Sequence, residues 1–211
     1  KAVEFFRKTG VDALAISYGT MHGASKGKDV KLRKEIAMAI RECLSHEGIF
    51  GALVSHGSST VPKYIVDENN ALGGELTNAY GISIEELQAA IPCGINKINV
   101  DTDIRLAVTR NMKELFVKYP ELRTSTSIGE IYELLEAKKS QFDPRVFLPP
   151  IMDTVMKGNI PDEDVAAIVN CVERGVKEVV GTLIVQFGSF GKAPLVEQVT
   201  LEEMIERYKK N

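Results

Sequence analysis

The sequence predicts an α/β fold with a parallel sheet, and more specifically part of an α/β barrel. Three short runs rich in apolar and β-branched residues, at 13–16, 49–54 and 95–100, each end in polar or glycine-flanked residues. Short apolar runs bounded by turn residues are typical of strands buried in a parallel sheet. Polar residues at the carboxyl ends of several such strands indicate a functional site on that face of a barrel.

Helical periodicity between these runs predicts alternating helices and strands over the first 118 residues. Because parallel strands are joined by right-handed crossovers, we expect the helices to cover the outside of the sheet. Gly10 should end the first helix, and Ser83 with Glu86 should form a capping box. We expect helices over residues 1–9, 30–46, 63–68, 84–90 and 104–118, and strands over residues 12–18, 49–55 and 95–100.

Beyond Tyr119 the pattern becomes helical. We therefore divide the chain into residues 1–118, the C-terminal part of a barrel, and residues 119–211, a helical C-terminal extension packed on the barrel or at a subunit interface. Within the extension we expect a break at 147–150, and either a strand or a buried helix end over 176–185. Its helices are expected over residues 125–141, 161–174 and 201–210.

The number of predicted strands indicates how much of a barrel this chain supplies. The chain of 211 residues is long enough for one hydrophobic core. Three strands cannot close a barrel of eight, and a sheet cut in this way leaves open edges. Residues 1–8 already resemble the middle of an amphipathic helix and lack a cap. We therefore expect the chain to be about half of a barrel, or to pair with the remaining part.

Composition excludes several classes of function. A net charge of −3 gives no basic surface for nucleic acid. No run approaches the roughly 20 apolar residues of a membrane span, so no membrane partner is expected. Cys43, Cys93 and Cys171 are far apart and in no metal-binding spacing, which favours a reduced, cytoplasmic protein.

Two of the three histidines, His22 and His56, follow predicted strands and precede a glycine. Imidazole ligates divalent metals, and glycine lets the backbone approach a metal or phosphate. Catalytic zinc usually takes three protein ligands, so another ligand must come from elsewhere. His46 lies near a helix C-terminus and is better explained by the helix dipole. The alternative is that His22 and His56 are hydrogen-bonded core or loop residues.

Polar residues follow the second and third predicted strands. Residues 57–59 (Gly-Ser-Ser) offer N–H groups and hydroxyls that suit a phosphate or another oxyanion, although they are also compatible with an ordinary serine-rich turn. In a strand, Asn99 and Asp101 would point to the same side, and Thr102 extends this polar cluster. Asp103 is expected to cap the following helix.

Arg105 and Arg145 are candidate phosphate clamps, since a guanidinium group binds phosphate oxygens bidentately. The alternative for each is an ordinary surface arginine. Three motifs in order resemble class II fructose-bisphosphate aldolases: residues 19–23 (Gly-Thr-Met-His-Gly), 55–59 (Ser-His-Gly-Ser-Ser) and 99–105 (Asn-Val-Asp-Thr-Asp-Ile-Arg).

In that family the motifs end three late strands of a TIM (β/α)8 barrel, and residues 143–145 resemble a further family motif. The resemblance covers about residues 1–150. It implies a lyase of glycolysis and gluconeogenesis that cleaves fructose 1,6-bisphosphate into dihydroxyacetone phosphate and glyceraldehyde 3-phosphate, and catalyses the reverse condensation. A tagatose-bisphosphate aldolase and a non-catalytic half-barrel fragment are the alternatives.

The resemblance also implies roles for individual residues. His22 and His56 match two of the three histidine ligands of a catalytic Zn²⁺, which acts as a Lewis acid. Asn99 and Asp101 match catalytic residues at the enediolate end and hydroxyls of the substrate. Ser58 stands where the family often has glycine, and its role is open. The residues that match substrate- or phosphate-binding positions are Gly23, Gly57, Ser59, Asn99, Asp101, Thr102, Arg105 and Arg145.

The resemblance further implies a sugar bisphosphate ligand, a monovalent cation (Na⁺ or K⁺) held by backbone carbonyls, and a homodimer or homotetramer. The aspartate that serves the family as general base, just before its first zinc histidine, has no counterpart in this sequence. A glutamate on a mobile loop is also absent. We expect these residues and the third zinc ligand to belong to a missing N-terminal half of the same protein.

Overall fold

A small parallel sheet organises the N-terminal part of the chain in the computed structural model, which describes residues 1–21 and 29–209. Its strands are β1 (Ala13–Ala15), β2 (Ala52–Ser55) and β3 (Ile95–Ile98), hydrogen-bonded in the order β1-β2-β3. Both strand pairs are parallel. The prediction of an α/β fold with a parallel sheet is confirmed, although each strand is shorter than expected.

Helices surround and extend this sheet. Gly10 ends the first helix in the left-handed conformation, with φ of 64°, as predicted. Ser83 begins the fourth, and its hydroxyl accepts a hydrogen bond from the Glu86 N–H at 3.3 Å. Within the described ranges the helices are α1 (Ala2–Thr9), α2 (Lys34–His46), α3 (Lys63–Ala71), α4 (Ile84–Ala90), α5 (Thr102–Lys118), α6 (Gly129–Ala137), α7 (Pro149–Met156), α8 (Glu163–Gln186) and α9 (Leu201–Lys209).

Several predicted helix boundaries are wrong. The helix expected from residue 30 starts only at Lys34, since Leu32 is buried before it and the Arg33 N–H donates to Tyr18 O at 2.7 Å. Similarly, α6 is shorter at both ends than the predicted 125–141.

The predicted break at 147–150 is confirmed at residues 147 and 148, whereas α7 already begins at Pro149. Pro149 and Pro150 stand in its first turn, where backbone N–H groups have no acceptor within the helix. Of the two alternatives for residues 176–185 the helix is confirmed, because they continue α8 to Gln186, although most of these residues are exposed rather than buried. Packing against α5 favours the helix there despite the β-branched residues.

The apolar core of the described residues has three parts, one around the sheet, one among the later helices and one between α3, α5 and α8. Phe6, Leu44 and Leu53 represent the first part, in which α1 and α2 cover the sheet. The second part lies between α5 and the helices that follow it. Gly175 of α8 contacts α5 so closely that an added Cβ would lie 2.8 Å from Val108 N. Of the helices after residue 119, α6 and α8 therefore pack on α5, the last helix of the β/α region.

In residues 1–21 and 29–209, no helix combines the length and apolar character needed to cross a bilayer.

Cys43, Cys93 and Cys171 are free thiols. Cys171 is 1% exposed and belongs to the core among the later helices, and this burial raises the pKa of its thiol.

Candidate functional site

A cavity of about 520 Å³ opens at the carboxyl ends of β2 and β3. In parallel α/β folds this is the end of the sheet where ligands bind. Ile98 and Val100 supply its apolar lining. The predicted site residues that the structure brings together around it are His56, Gly57, Ser59, Asn99, Asp101 and Thr102.

The turn after β2 carries His56 to the cavity. Gly57 has φ of 69°, a left-handed conformation that favours glycine. The Ser58 N–H donates to Asn99 O at 3.1 Å, and the Asn99 N–H donates to Ser55 O at 2.9 Å. These two bonds continue the pairing of β2 and β3 past the strand ends. These backbone hydrogen bonds therefore place His56 and Asn99 beside the same cavity.

Ser59 joins this turn to the start of α5. Its buried hydroxyl oxygen accepts hydrogen bonds from the backbone N–H groups of Asp101, at 3.2 Å, and Thr102, at 3.1 Å. Both donors lie at the N-terminus of α5, where N–H groups have no partner within the helix. Ser59 thus fixes the N-terminus of α5 beside the cavity.

Asp103 does not cap α5, contrary to the prediction, because Asp101 occupies the cap position. Asp103 is completely buried, and its carboxylate accepts bonds from Thr60 N at 2.9 Å, Thr60 Oγ1 at 2.7 Å and Val61 N at 2.8 Å. Val61 has φ of 49°, a rare conformation for a β-branched residue. Asp103 therefore holds a strained segment of the loop that follows Ser59.

Gly81 supports the same segment from another side. A Cβ at Gly81 would lie 2.2 Å from the carbonyl carbon of Thr60, so only glycine allows this approach. The Ile82 N–H donates to Ser59 O at 3.1 Å. Sequence reasoning missed both Asp103 and Gly81 as supports. Neither contact is local in sequence, and no periodic pattern marks it.

Arg105 and Arg145 lie next to the cavity residues rather than in the cavity lining. Arg105 binds Asp101 through Nε–Oδ1, at 2.8 Å, and Nη2–Oδ2, at 2.6 Å. Asp143 accepts bonds from Arg105 Nη1 and Arg145 Nη2, each at 2.6 Å. Arg145, followed by the charge of Arg105, keeps the pKa of the Asp143 carboxyl below its usual range. A phosphate bound here would replace a carboxylate as the anionic partner of these arginines.

The donor set for a metal is incomplete within the described residues. His22 and Gly23 lie outside them. Residues 1–21 and 29–209 contain no group of three or more His, Cys, Asp or Glu side chains arranged to hold a metal ion. His56 is exposed on the cavity wall, and imidazole is a donor that Zn²⁺ favours. His56 thus fits zinc as one ligand, whereas His46, at the end of α2, precedes β2 and is remote from its carboxyl end.

A larger cavity, of about 900 Å³, is lined in part by Thr60, Val61 and Asp103. The rest of its lining comes mainly from α3, residues 78–85 and α8, and the lining is largely apolar. Among the described residues, Asp103 is the one member of the three strand-end motifs in this lining, and none of the predicted site residues contributes to it. Size alone therefore does not identify the site, and the polar groups at the strand ends favour the smaller cavity.

Comparison with known proteins gives a consistent result. The sequence model of the class II fructose-bisphosphate aldolase family matches residues 1–192, well beyond residue 150, where the motif resemblance ends. Fructose-bisphosphate aldolase of Nostoc commune is 33% identical over 210 residues, which cover 100% of this chain and 47% of the relative. Fructose-bisphosphate aldolase of Giardia intestinalis is 35% identical over 209 residues, covering 99% and 51%.

Fructose-bisphosphate aldolase 2 of Cereibacter sphaeroides is 32% identical over 208 residues, which cover 99% of this chain and 48% of the relative. The chain therefore spans about half the length of the curated relatives that it matches. The family match covers the sheet, the strand-end cavity and the helices through α8. The chain belongs to the class II fructose-bisphosphate aldolase family.

Proposed function

We propose that this chain carries part of the active site of a metal-dependent aldolase that cleaves fructose 1,6-bisphosphate. The products would be dihydroxyacetone phosphate and glyceraldehyde 3-phosphate, and the same site would catalyse the reverse condensation. The observation that carries this proposal is the strand-end cavity, where His56, Asn99 and Asp101 lie together. Membership of the aldolase family supports the choice of substrate.

His56 and His22 are the proposed ligands of Zn²⁺ from this chain. Bound zinc supplies Lewis-acid stabilisation for the negative charge that develops on a substrate oxygen. The Asn99 amide is a hydrogen-bond donor suited to the same developing charge, and the Asp101 carboxylate can accept a hydrogen bond from a substrate hydroxyl. Asn99 and Asp101 therefore orient the reacting end of the sugar.

The phosphate groups need positive charge and N–H donors. We assign one phosphate to Gly57 and Ser59 together with Gly23, because backbone N–H groups in a glycine turn suit oxyanions. Thr102 adds a hydroxyl at the positive end of the α5 dipole. Arg105 and Arg145 are assigned to the second phosphate. Backbone carbonyls near the first phosphate are the proposed ligands of a monovalent cation, Na⁺ or K⁺.

At the level of the whole protein, we assign β1, β2 and β3 to the last three strands of a TIM barrel. Among the described residues β1 and β3 each have a strand neighbour on one side only, which leaves edges for further strands. Residues 1–118 would form the C-terminal part of that barrel, and residues 119–211 a helical extension on the barrel or at a subunit interface. An N-terminal half would add the other strands, the general base and the third zinc ligand.

The assembly is proposed to be a homodimer or homotetramer. A cytoplasmic location is proposed from the cysteine usage of the sequence. Both are open to direct measurement on the full-length protein.

The proposed activity is tested by fructose 1,6-bisphosphate cleavage with the purified full-length protein that contains this sequence. We expect EDTA to abolish cleavage and added Zn²⁺ to restore it. Activity that survives complete metal removal would contradict the proposal. Comparison of kcat/KM with tagatose 1,6-bisphosphate tests the substrate, and a higher value for tagatose would reassign it. Absence of cleavage with either sugar would favour a non-catalytic role.

A further inference from the structure

A chain of three buried hydroxyl groups lies directly behind the cavity. Tyr18 follows β1, Ser55 is the last residue of β2, and Ser58 lies in the turn that follows. Their exposed fractions are 1%, 0% and 0%. The Tyr18 hydroxyl is hydrogen-bonded to Ser55 Oγ, and Ser55 Oγ lies 2.6 Å from Ser58 Oγ. This hydroxyl chain therefore connects the segment after β1 to the turn after β2.

Hydroxyl groups this deeply buried are costly unless each finds a partner. Ser55 is the central member of this hydroxyl chain, with the Tyr18 hydroxyl on one side and the Ser58 hydroxyl on the other. Burial raises the pKa of the Tyr18 phenol, so the ring keeps its proton and remains able to donate. Replacement of Tyr18 or Ser58 would remove one of the two hydroxyl partners of the buried Ser55 and so weaken its hold on the other.

The hydroxyl chain lies next to the turn that carries His56. The bond between Ser55 and Ser58 closes the turn whose two intervening residues are His56 and Gly57. From the other direction, the Ser58 N–H donates to Asn99 O at 3.1 Å. Ser58 is therefore held both by the hydroxyl chain and by the end of β3. The backbone that carries His56 is thus fixed from inside the protein, while His56 itself is exposed at the cavity.

We propose that Tyr18, Ser55 and Ser58 are positioning residues that hold the His56–Gly57 turn in the geometry required for metal binding. This inference rests on the proposed metal-dependent function. None of the three residues lines the cavity, so each acts through the turn and not by contact with metal or substrate. Groups that orient a metal ligand typically change metal affinity by about 10- to 100-fold when they are removed.

The test measures Zn²⁺ affinity, by competition with a metal-binding dye, for the full-length protein and two variants. Tyr18→Phe keeps the buried ring and removes only its hydroxyl, and Ser58→Ala removes the last member of the chain. We expect each variant to bind Zn²⁺ about tenfold more weakly. Once saturated with Zn²⁺, each should recover most of its kcat, because the residues that touch the substrate are unchanged.

Matched controls separate positioning from a general loss of stability. Tyr132→Phe alters a half-buried tyrosine of α6 whose ring contacts that of Phe116 in a tilted arrangement, at 5.4 Å between ring centroids. Ser125→Ala removes a hydroxyl bonded to Asp164 at 2.6 Å, also in the helical part. We expect both controls to leave Zn²⁺ affinity unchanged, whatever they do to the melting temperature.

The possible outcomes distinguish this inference from the function on which it rests. If the unaltered protein binds Zn²⁺ and cleaves the sugar, but Tyr18→Phe and Ser58→Ala retain its affinity, the positioning role alone is overturned. If the unaltered protein does not bind Zn²⁺, both proposals fail. If Ser58→Ala does not fold, Tyr18→Phe decides the result, because it changes no apolar packing.

Discussion

Among single residues, the polar positions after β3 have two different roles. Asn99 and Asp101 line the cavity. Asp103 lies two residues beyond Asp101 but is completely buried and accepts three hydrogen bonds from Thr60 and Val61. A short run of similar residue types therefore supplies both cavity groups and the support for a neighbouring loop.

The Asp103→Asn variant tests the supporting role. The side chain keeps its size, but one carboxylate oxygen becomes an NH₂ group that faces the N–H donors of the loop. We expect the free energy of unfolding to fall by about 2 kcal/mol, because hydrogen bonds to charged groups are worth about 1.5–3 kcal/mol. Urea unfolding measures this change. Asp153→Asn, at an exposed position of α7, is the control and should be neutral; equal stability of the two variants would refute the support role.

At the scale of secondary-structure elements, Glu86 joins α4 to the segment before α2. Its carboxylate accepts bonds from the Leu32 N–H at 3.0 Å, from Lys34 Nζ at 2.8 Å and from Lys31 Nζ at 3.3 Å. The predicted capping box is therefore only half present, since Ser83 caps α4 but Glu86 does not return to Ser83. The long-range partners of Glu86 replace the local one.

The Glu86 contacts predict a specific pH dependence. The hydrogen bond from Lys34, followed by that from the Leu32 N–H, lowers the pKa of Glu86 from 4.5 to about 2. Because the folded-state pKa is depressed, its stabilising contribution is complete above pH 4.5 and is lost as pH falls towards 2. We expect Glu86→Gln to be less stable than the unaltered protein at neutral pH, and the difference to shrink over this acid range.

Urea unfolding at a series of pH values measures this difference. Glu133→Gln, at an exposed position of α6, provides the control and should show no comparable trend. A difference for Glu86→Gln that stays constant down to pH 2 would rule out the proposed ion pairs as its cause.

The packing of α8 on α5 predicts opposite effects for two glycines of the same helix. At Gly175 an added Cβ would lie 2.8 Å from Val108 N, whereas at Gly181 it would meet nothing within 4 Å. Gly175→Ala should lower the free energy of unfolding by about 1–3 kcal/mol through overpacking. Gly181→Ala should raise it by up to about 1 kcal/mol, because alanine favours the helix. Thermal or urea unfolding measures both, and equal effects would contradict the close approach of α5 and α8.

At the scale of the whole molecule, local patterns predicted the elements better than their ends. The parallel direction of the strands followed from the β/α alternation, and polar residues at the carboxyl ends of β2 and β3 pointed to the place where the cavity lies. The start of α2, the course of α8 and the roles of Asp103, Glu86 and Tyr18 depend on contacts between segments distant in sequence. No periodic pattern encodes such contacts, so they became visible only in three dimensions.

We propose that the strand-end cavity binds the sugar bisphosphate. Steady-state kinetics of Asn99→Ala in the full-length protein test it most directly, with Asn170→Ala, at an exposed position of α8, as the control. We expect kcat/KM for fructose 1,6-bisphosphate to fall about 100-fold or more in Asn99→Ala, the usual effect of removing a donor to a developing charge, and to be unchanged in the control. A folded Asn99→Ala variant with unaltered kcat/KM would show that the substrate binds elsewhere.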